Sequence, residues 1–218
     1  MQIVEREVGT GSERAPAPGA TADATAGNER LTALAGVVLL VPLAVIGVTI
    51  LQLGGMLSVH LFVGLLLVPP VLLKLGSTLY RFGRYYTHST IYRLRGAPPL
   101  ALRALGPAVV ITTVVVFVTG IWLLFAGPGS RNPLLEIHKV SFIAWGVFTG
   151  IHLLAHALEA RDATVAELAR SARVAGRKLR LIAIGAALVA GIALGAALIP
   201  QYSSWTNWNA HHHHHRGG

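Results

Sequence analysis

His60, His138, His152 and His156 all stand inside long apolar runs. An ionisable side chain in such a run is costly to leave facing hydrocarbon, so it turns to a bundle interior and marks a function. His138 and His152 lie fourteen residues apart in EIHKVSFIAWGVFTGIHLLAHALEA, residues 136–160. In a helix that is nearly four turns and about 21 Å, so the two rings share a face. His156 follows one turn later on nearly that face.

His60 belongs to a different apolar run, and its place near the start of that run matches the place of His138 in its own. If the two helices run in the same direction, the two imidazoles stand at one depth. Such a pair can hold an iron between them, and a haem b iron takes two axial ligands for which histidine nitrogen is suited. A porphyrin also needs room where it meets the helices. Gly64, one turn after His60, and Gly120 on the intervening apolar run offer it. The other reading of these histidines is packing or proton handling.

Fourteen residues past His60 stands Lys74, level with His152, where a two-haem arrangement would want a second histidine. Three roles are open to Lys74: iron ligand if neutral, partner of a propionate or quinone oxygen if charged, or a side chain snorkelling to the headgroups. His152 is thus a candidate second haem ligand with an unorthodox partner. HLLAH at 152–156 has the i, i+4 spacing of a metal pair but lacks the glutamate of a zinc peptidase. His156 is a candidate quinone or proton site. His88, in RFGRYYTHSTIYRLRGAPP, is either solvent-facing or a contact for quinone or an inner haem. The run of five histidines in NAHHHHHRGG is an affinity-tag remnant or a native metal-binding tail, with no catalytic role assigned.

The elements that must position these residues follow from composition. Hydrophobic residues make up 53% of the 218 and charged residues 12%, about half the charged share of a soluble domain. Five apolar segments, near 31–53, 57–80, 103–126, 137–158 and 180–199, each suffice to cross a bilayer as helix. The expected fold is all-α: an integral membrane bundle of five transmembrane helices with a four-helix haem-binding core. Residues 1–29 read as a disordered tail, 30–200 as the membrane domain, and 201–218 as an aromatic and His-rich tail. Pro69 and Pro70 are expected to kink the second helix. No cysteine is present, which excludes disulfides, iron–sulfur clusters and thioether-linked haem within the chain.

The net charge of +9 would suggest nucleic acid in a soluble protein. Here the arginines sit beside membrane segments and set topology, so no nucleic-acid partner is expected. Arg81, Arg84, Arg93, Arg95 and Arg103 fall between the second and third segments. Arg161, Arg170, Arg173, Arg177, Lys178 and Arg180 fall between the fourth and fifth. Both loops are expected in the cytoplasm, with the N-terminus inside, the C-terminus outside, and His60 and His138 near the outer face of a cytoplasmic membrane. Arginines of the first of these loops are candidate partners for propionates or anionic lipids. Val165, Leu168 and Val174 suggest an amphipathic helix on the inner surface, or a solvated linker. Tyr202, Trp205 and Trp208 suggest an outer aromatic belt. Gly191 and Gly195 have GxxxG spacing, for packing within the chain or for a homodimer or larger complex.

His60 with Gly64 on the second helix, and His138 with His152 on the fourth, resemble the membrane cytochrome b superfamily. That group includes the b subunits of quinol–cytochrome c oxidoreductases, the cytochrome b subunits of formate dehydrogenases and hydrogenases, and b561-type cytochromes. HLFVGLLLVPPVLLKLGSTLYRFGRYY is similar to small actinobacterial proteins of this type. The resemblance covers roughly residues 55–160. It implies one haem b on His60 and His138, a second on His152 that the lysine at 74 puts in doubt, and electron exchange between quinone and a partner. By analogy that partner is an extracytoplasmic oxidoreductase, such as a molybdopterin enzyme. No dinucleotide fingerprint is present, so the chain would be an electron-transfer subunit rather than a self-contained enzyme. The alternative is a non-redox membrane anchor, assembly subunit or small transporter. An inverted repeat would favour the transporter, and none is evident.

Overall fold

The computed structural model describes residues 18–86, 100–168 and 176–214. They form six α-helices and a 3-10 turn, with no strand among the described residues. The helices are α1 (Pro18–Leu51), α2 (Leu53–Tyr86), α3 (Leu100–Ala126), α4 (Leu134–Leu168), α5 (Arg177–Ala197) and α6 (Ile199–His214), with the turn at Pro128–Ser130. α1 to α5 are long and apolar enough to cross a membrane, over Gly27–Leu51, Leu53–Tyr80, Ala104–Ala126, Leu134–Ala157 and Arg177–Ala197. This is the all-α bundle of a multi-pass membrane protein. Helices solve the main problem of such a segment, because every backbone polar group is paired within it. The threonine hydroxyls follow the same rule: Thr112 Oγ1 donates to the Ala108 carbonyl at 2.7 Å and Thr113 Oγ1 to the Val109 carbonyl at 2.6 Å. The aliphatic residues that remain outside, such as Leu154 at 82% exposure, form an apolar perimeter that suits lipid and would be a liability in water.

Four helices enclose the interior. α1 and α2 form one hairpin, turning at Gln52, whose carbonyl accepts from the Gly55 and Met56 amides. α3 and α4 form a second, turning at Gly127, whose φ of 72° is a left-handed value that glycine adopts without strain. The hairpins meet mainly through α1 and α4, whereas α2 and α3 touch lightly. α2 and α4 therefore stand diagonally. α5 lies outside this ring against α2, so the helix left out of the four-helix core is the fifth rather than the first.

α5 approaches so closely because of its small residues. Gly191 and Gly195 are buried, and a Cβ on Gly191 would collide with the Leu66 carbonyl, while one on Gly195 would lie 2.9 Å from the Phe62 ring. Pro70 has no N–H to offer the carbonyl four residues back, which is that of Leu66. The oxygen that the proline releases is the one on which Gly191 packs. The GxxxG face is thus used within the chain.

Several expectations need correction. Pro69 and Pro70 do not interrupt α2; its one non-helical residue is Met56, with φ −117° and ψ 19°. The carbonyl that Pro70 frees is the one against which Gly191 of α5 packs. Residues 18–29, expected in a disordered tail, extend α1. A helix already nucleated in the membrane propagates readily through an alanine-rich segment. Val165 and Leu168 continue α4 rather than starting a separate helix, and Val174 lies outside the described residues. Residues 201–214 of the expected aromatic and His-rich tail form most of α6, which packs back against α2 and α3.

Gly191→Leu is expected to separate α5 from α2 and destabilise the protein by about 1–3 kcal/mol or more. A Cβ on Gly185 would have nothing within 4 Å, so Gly185→Leu should leave stability unchanged. Thermal unfolding of both variants in detergent measures the contrast.

Candidate functional site

Between the two hairpins, at the end where α2 and α4 begin, lies a cavity of about 380 Å³. Its volume falls within the range of about 300–1,000 Å³ typical of small-molecule sites. His60 enters it from α2 and His138 from α4, so the two imidazoles that sequence placed at one depth open on one space from diagonal helices. Gly64 and Gly120 also line it, with aliphatic residues from α1, α2 and α3 and with Phe142 and Trp145 of α4. Gly64 leaves its side open, since a Cβ there would have nothing within 4 Å. Gly120 has a more specific task than general room: a Cβ there would lie 3.0 Å from His138 Cε1. Its bare Cα is what lets the His138 ring lie against α3.

Each ring is tied to the other helix of its own hairpin. Thr49 Oγ1 of α1 lies 3.0 Å from His60 Nδ1, and Thr119 Oγ1 of α3 lies 3.0 Å from His138 Nδ1. Both threonines are buried, Thr49 completely. Trp145 is held likewise, its Nε1 donating to Thr113 Oγ1 at 2.9 Å. The His138 face of α4 continues through Phe142, Trp145, His152 and His156 at successive steps of four, three, seven and four residues, as an inward stripe should.

α6 closes the end of the cavity. Trp205 and Trp208 line it, and Trp205 Nε1 donates to the Leu123 carbonyl at 3.1 Å. The Tyr202 hydroxyl donates to the Gly195 carbonyl at 2.8 Å. These aromatics are not an exposed belt: Tyr202 and Trp205 are in the core with Leu65, Leu123 and Leu124. Burial pushes the Tyr202 phenol above its ordinary pKa. Among the described residues, Arg131 is the one charged side chain lining the cavity. Its Nη1 donates to the Pro128 carbonyl at 3.0 Å, and its guanidinium sits 4.3 Å from the centre of the Trp208 ring, within cation–π range.

The other candidates lie elsewhere. Neither His152, His156 nor Lys74 lines the cavity. Lys74 Nζ donates to the Thr32 carbonyl of α1 at 3.1 Å, and it lies where a Cβ on Gly36 would be 2.7 Å away. The lysine is therefore drawn to a helix backbone rather than extended along its own helix toward the surface. Around it, Asn28 Nδ2 donates to the Ser77 carbonyl at 3.0 Å and Thr32 Oγ1 meets Ser77 Oγ at 2.9 Å. His152 and His156 are neighbours, with ring centres 4.8 Å apart. No group of three or more His, Cys, Asp or Glu converges as a metal site among the described residues. His88 lies outside the described residues.

Sequence reasoning missed Thr49, Thr119, Arg131, Trp205 and Trp208. The threonines carried a signal, since a hydroxyl in an apolar run requires a partner, but the partner lies across a hairpin. Compared with known protein families, characterised proteins and solved structures, the chain matches none.

Trp205→Ala removes both a large apolar side chain and the bond to the Leu123 carbonyl, an expected loss of about 3–5 kcal/mol. Hydrogen exchange over residues 199–210 should accelerate, while the α1–α2 hairpin stays protected. For Tyr202, the folded protein holds the phenol proton more tightly than the unfolded chain does. Its contribution is therefore complete below the ordinary tyrosine value near 10 and is lost as pH rises through the folded value. Unfolding temperature against pH should show this alkaline decline, and Tyr202→Phe should reduce it.

Proposed function

We propose that the protein is a haem b membrane cytochrome that carries electrons between membrane quinone and an oxidoreductase partner, as the resemblance to membrane cytochromes b implies. The observation that carries this reading is the convergence of His60 and His138 on one apolar cavity from diagonal helices. Haem b, when bound, supplies a one-electron ferric–ferrous couple, and tuning that couple falls to the protein.

The residues present fit the group. His60 and His138 offer a nitrogen donor pair, and no carboxylate or thiolate among the described residues of the cavity wall competes with them. Gly64 and Gly120 leave the wall thin beside the two histidines. The apolar lining, with the tryptophans of α6, suits a macrocycle whose faces are apolar. Arg131 is placed to pair with the carboxylates of such a group, and Arg is well matched to carboxylate geometry. Of the other candidates for that role, the arginines of the α2–α3 connection, Arg93 and Arg95 lie outside the described residues.

One haem is the reading the observations favour. Lys74, level with His152 in the sequence, is engaged with the Thr32 carbonyl, so that position offers no second imidazole. His156 beside His152 then stands as a candidate quinone or proton site at the far end of α4. The arginine-rich α2–α3 and α4–α5 connections argue for those ends in the cytoplasm. On that orientation the cavity lies near the outer face of the cytoplasmic membrane, close to an extracytoplasmic partner enzyme.

The test is the dithionite-reduced-minus-oxidised spectrum of protein purified from haem-replete cells. A b-type band is expected, lost in both His60→Ala and His138→Ala and retained in His152→Ala. Pyridine haemochrome should give one haem per chain. A folded but colourless wild-type protein overturns the reading.

A further inference from the structure

Resting on that reading, we infer that Thr49 and Thr119 are paired positioning residues that lock His60 and His138 as Nδ1–H tautomers and present a bare Nε2 to the iron.

Counting hydrogens leads to this assignment. A threonine hydroxyl has one hydrogen to donate and two lone pairs to accept with. Thr49 Oγ1 lies 2.7 Å from the Ile46 carbonyl of its own helix. Thr119 Oγ1 lies 2.7 Å from the Val115 carbonyl and 3.1 Å from that of Val116. A carbonyl only accepts, so in each case the hydroxyl hydrogen belongs to the shorter, backbone contact. What each hydroxyl turns toward the ring nitrogen is then a lone pair. At 3.0 Å from both Nδ1 atoms, two facing lone pairs would repel, so Nδ1 must carry the proton. A neutral imidazole has one N–H; with the proton on Nδ1, the Nε2 lone pair is left for a ligand. Thr49 is wholly buried, so solvent does not compete for His60 from that side.

The two clamps share one construction, and the Val116 carbonyl of α3 also faces the His138 ring as a backbone acceptor. Each joins the end of the first helix of a hairpin to the start of the second, and each anchors its hydroxyl in the backbone turn just before it. Both rings are thereby fixed in tautomer and in orientation about the cavity. The acceptor chemistry matters too. A metal-bound histidine that donates its other N–H gains basicity from the acceptor. A hydroxyl whose own hydrogen is committed accepts moderately and leaves the ligand a neutral imidazole, where a carboxylate would draw it toward imidazolate. Removing the acceptor makes each ring a poorer donor, which disfavours ferric over ferrous iron and raises the midpoint potential.

Two measurements test this. In haem-free protein, nitrogen-15 NMR of labelled histidine should assign the Nδ1–H tautomer to His60 and His138, identified by loss of their signals in His60→Ala and His138→Ala. Thr49→Val should release that preference for His60 alone, and Thr119→Val should weaken it for His138 alone, where the Val116 carbonyl still faces the ring. Finding Nε2–H tautomers in the wild-type protein overturns the inference, whatever the fate of the haem. In haem-loaded protein, each valine variant should weaken haem affinity by about ten- to a hundredfold and raise the midpoint potential. Thr49→Ser and Thr119→Ser should restore both. Affinity and potential unchanged in valine variants that unfold at the wild-type temperature also overturn it. A wild-type protein that shows the expected tautomers but binds no haem overturns the cytochrome reading alone.

Discussion

A polar atom inside an apolar bundle must find a partner within the protein, because lipid offers none. Most of what is specific in this structure follows from that constraint. Unpartnered, a buried N–H such as that of His60 costs about 1–3 kcal/mol. With Thr149 Oγ1 as an exception, such groups fix neighbours: Thr49 for His60, Thr119 for His138, Thr113 for Trp145, and the Thr32 carbonyl for Lys74. The aliphatic residues hold the helices together without choosing among many registers. The polar pairs select one.

Those pairs are distributed unevenly along the bundle, and the two ends differ accordingly. At the Lys74 end the polar groups of α1 and α2 bond to one another, Asn28 with Ser77 and Lys74 with Thr32, and draw the helices into contact. At the other end each histidine is partnered within its own hairpin, His60 by Thr49 and His138 by Thr119 with the Val116 carbonyl nearby. The rings need nothing from each other, so the hairpins can stand apart and leave the cavity between α2 and α4. The light contact of α2 with α3 is the structural counterpart of that opening.

α5 and α6 serve the core from outside it. The glycines of α5 meet the carbonyl that Pro70 releases on α2, so a proline and a glycine far apart in the chain make one interface. Leu198 ends α5 with its amide bonded to the Leu194 carbonyl, and α6 departs at once across the end of the bundle. There Trp205 and Tyr202 join the core, and Trp208 meets Arg131. A segment that is polar on average thus becomes the cover of an apolar cavity, because its Trp205 and Trp208 line that cavity and Tyr202 joins the core.

Sequence alone determined the architecture and the principal pair. Segment length and apolarity dictate five spanning helices, since only a helix of about 20 residues crosses a bilayer with its backbone satisfied. Helical periodicity puts His138, His152 and His156 on one face, and the odd number of segments between His60 and His138 puts the two at one end. These are properties of single helices and of counting. Which helix stands outside the ring, what Lys74 bonds to, what packs on the carbonyl that Pro70 frees, and that α6 folds back as a cap were decided by tertiary structure. So were the threonine clamps: Thr49 and His60 are close only because a hairpin turn brings two helix ends side by side, and Thr119 reaches His138 only because Gly120 lets the ring approach. Such contacts depend on the rotation and separation of neighbouring helices, which no periodicity within one segment contains.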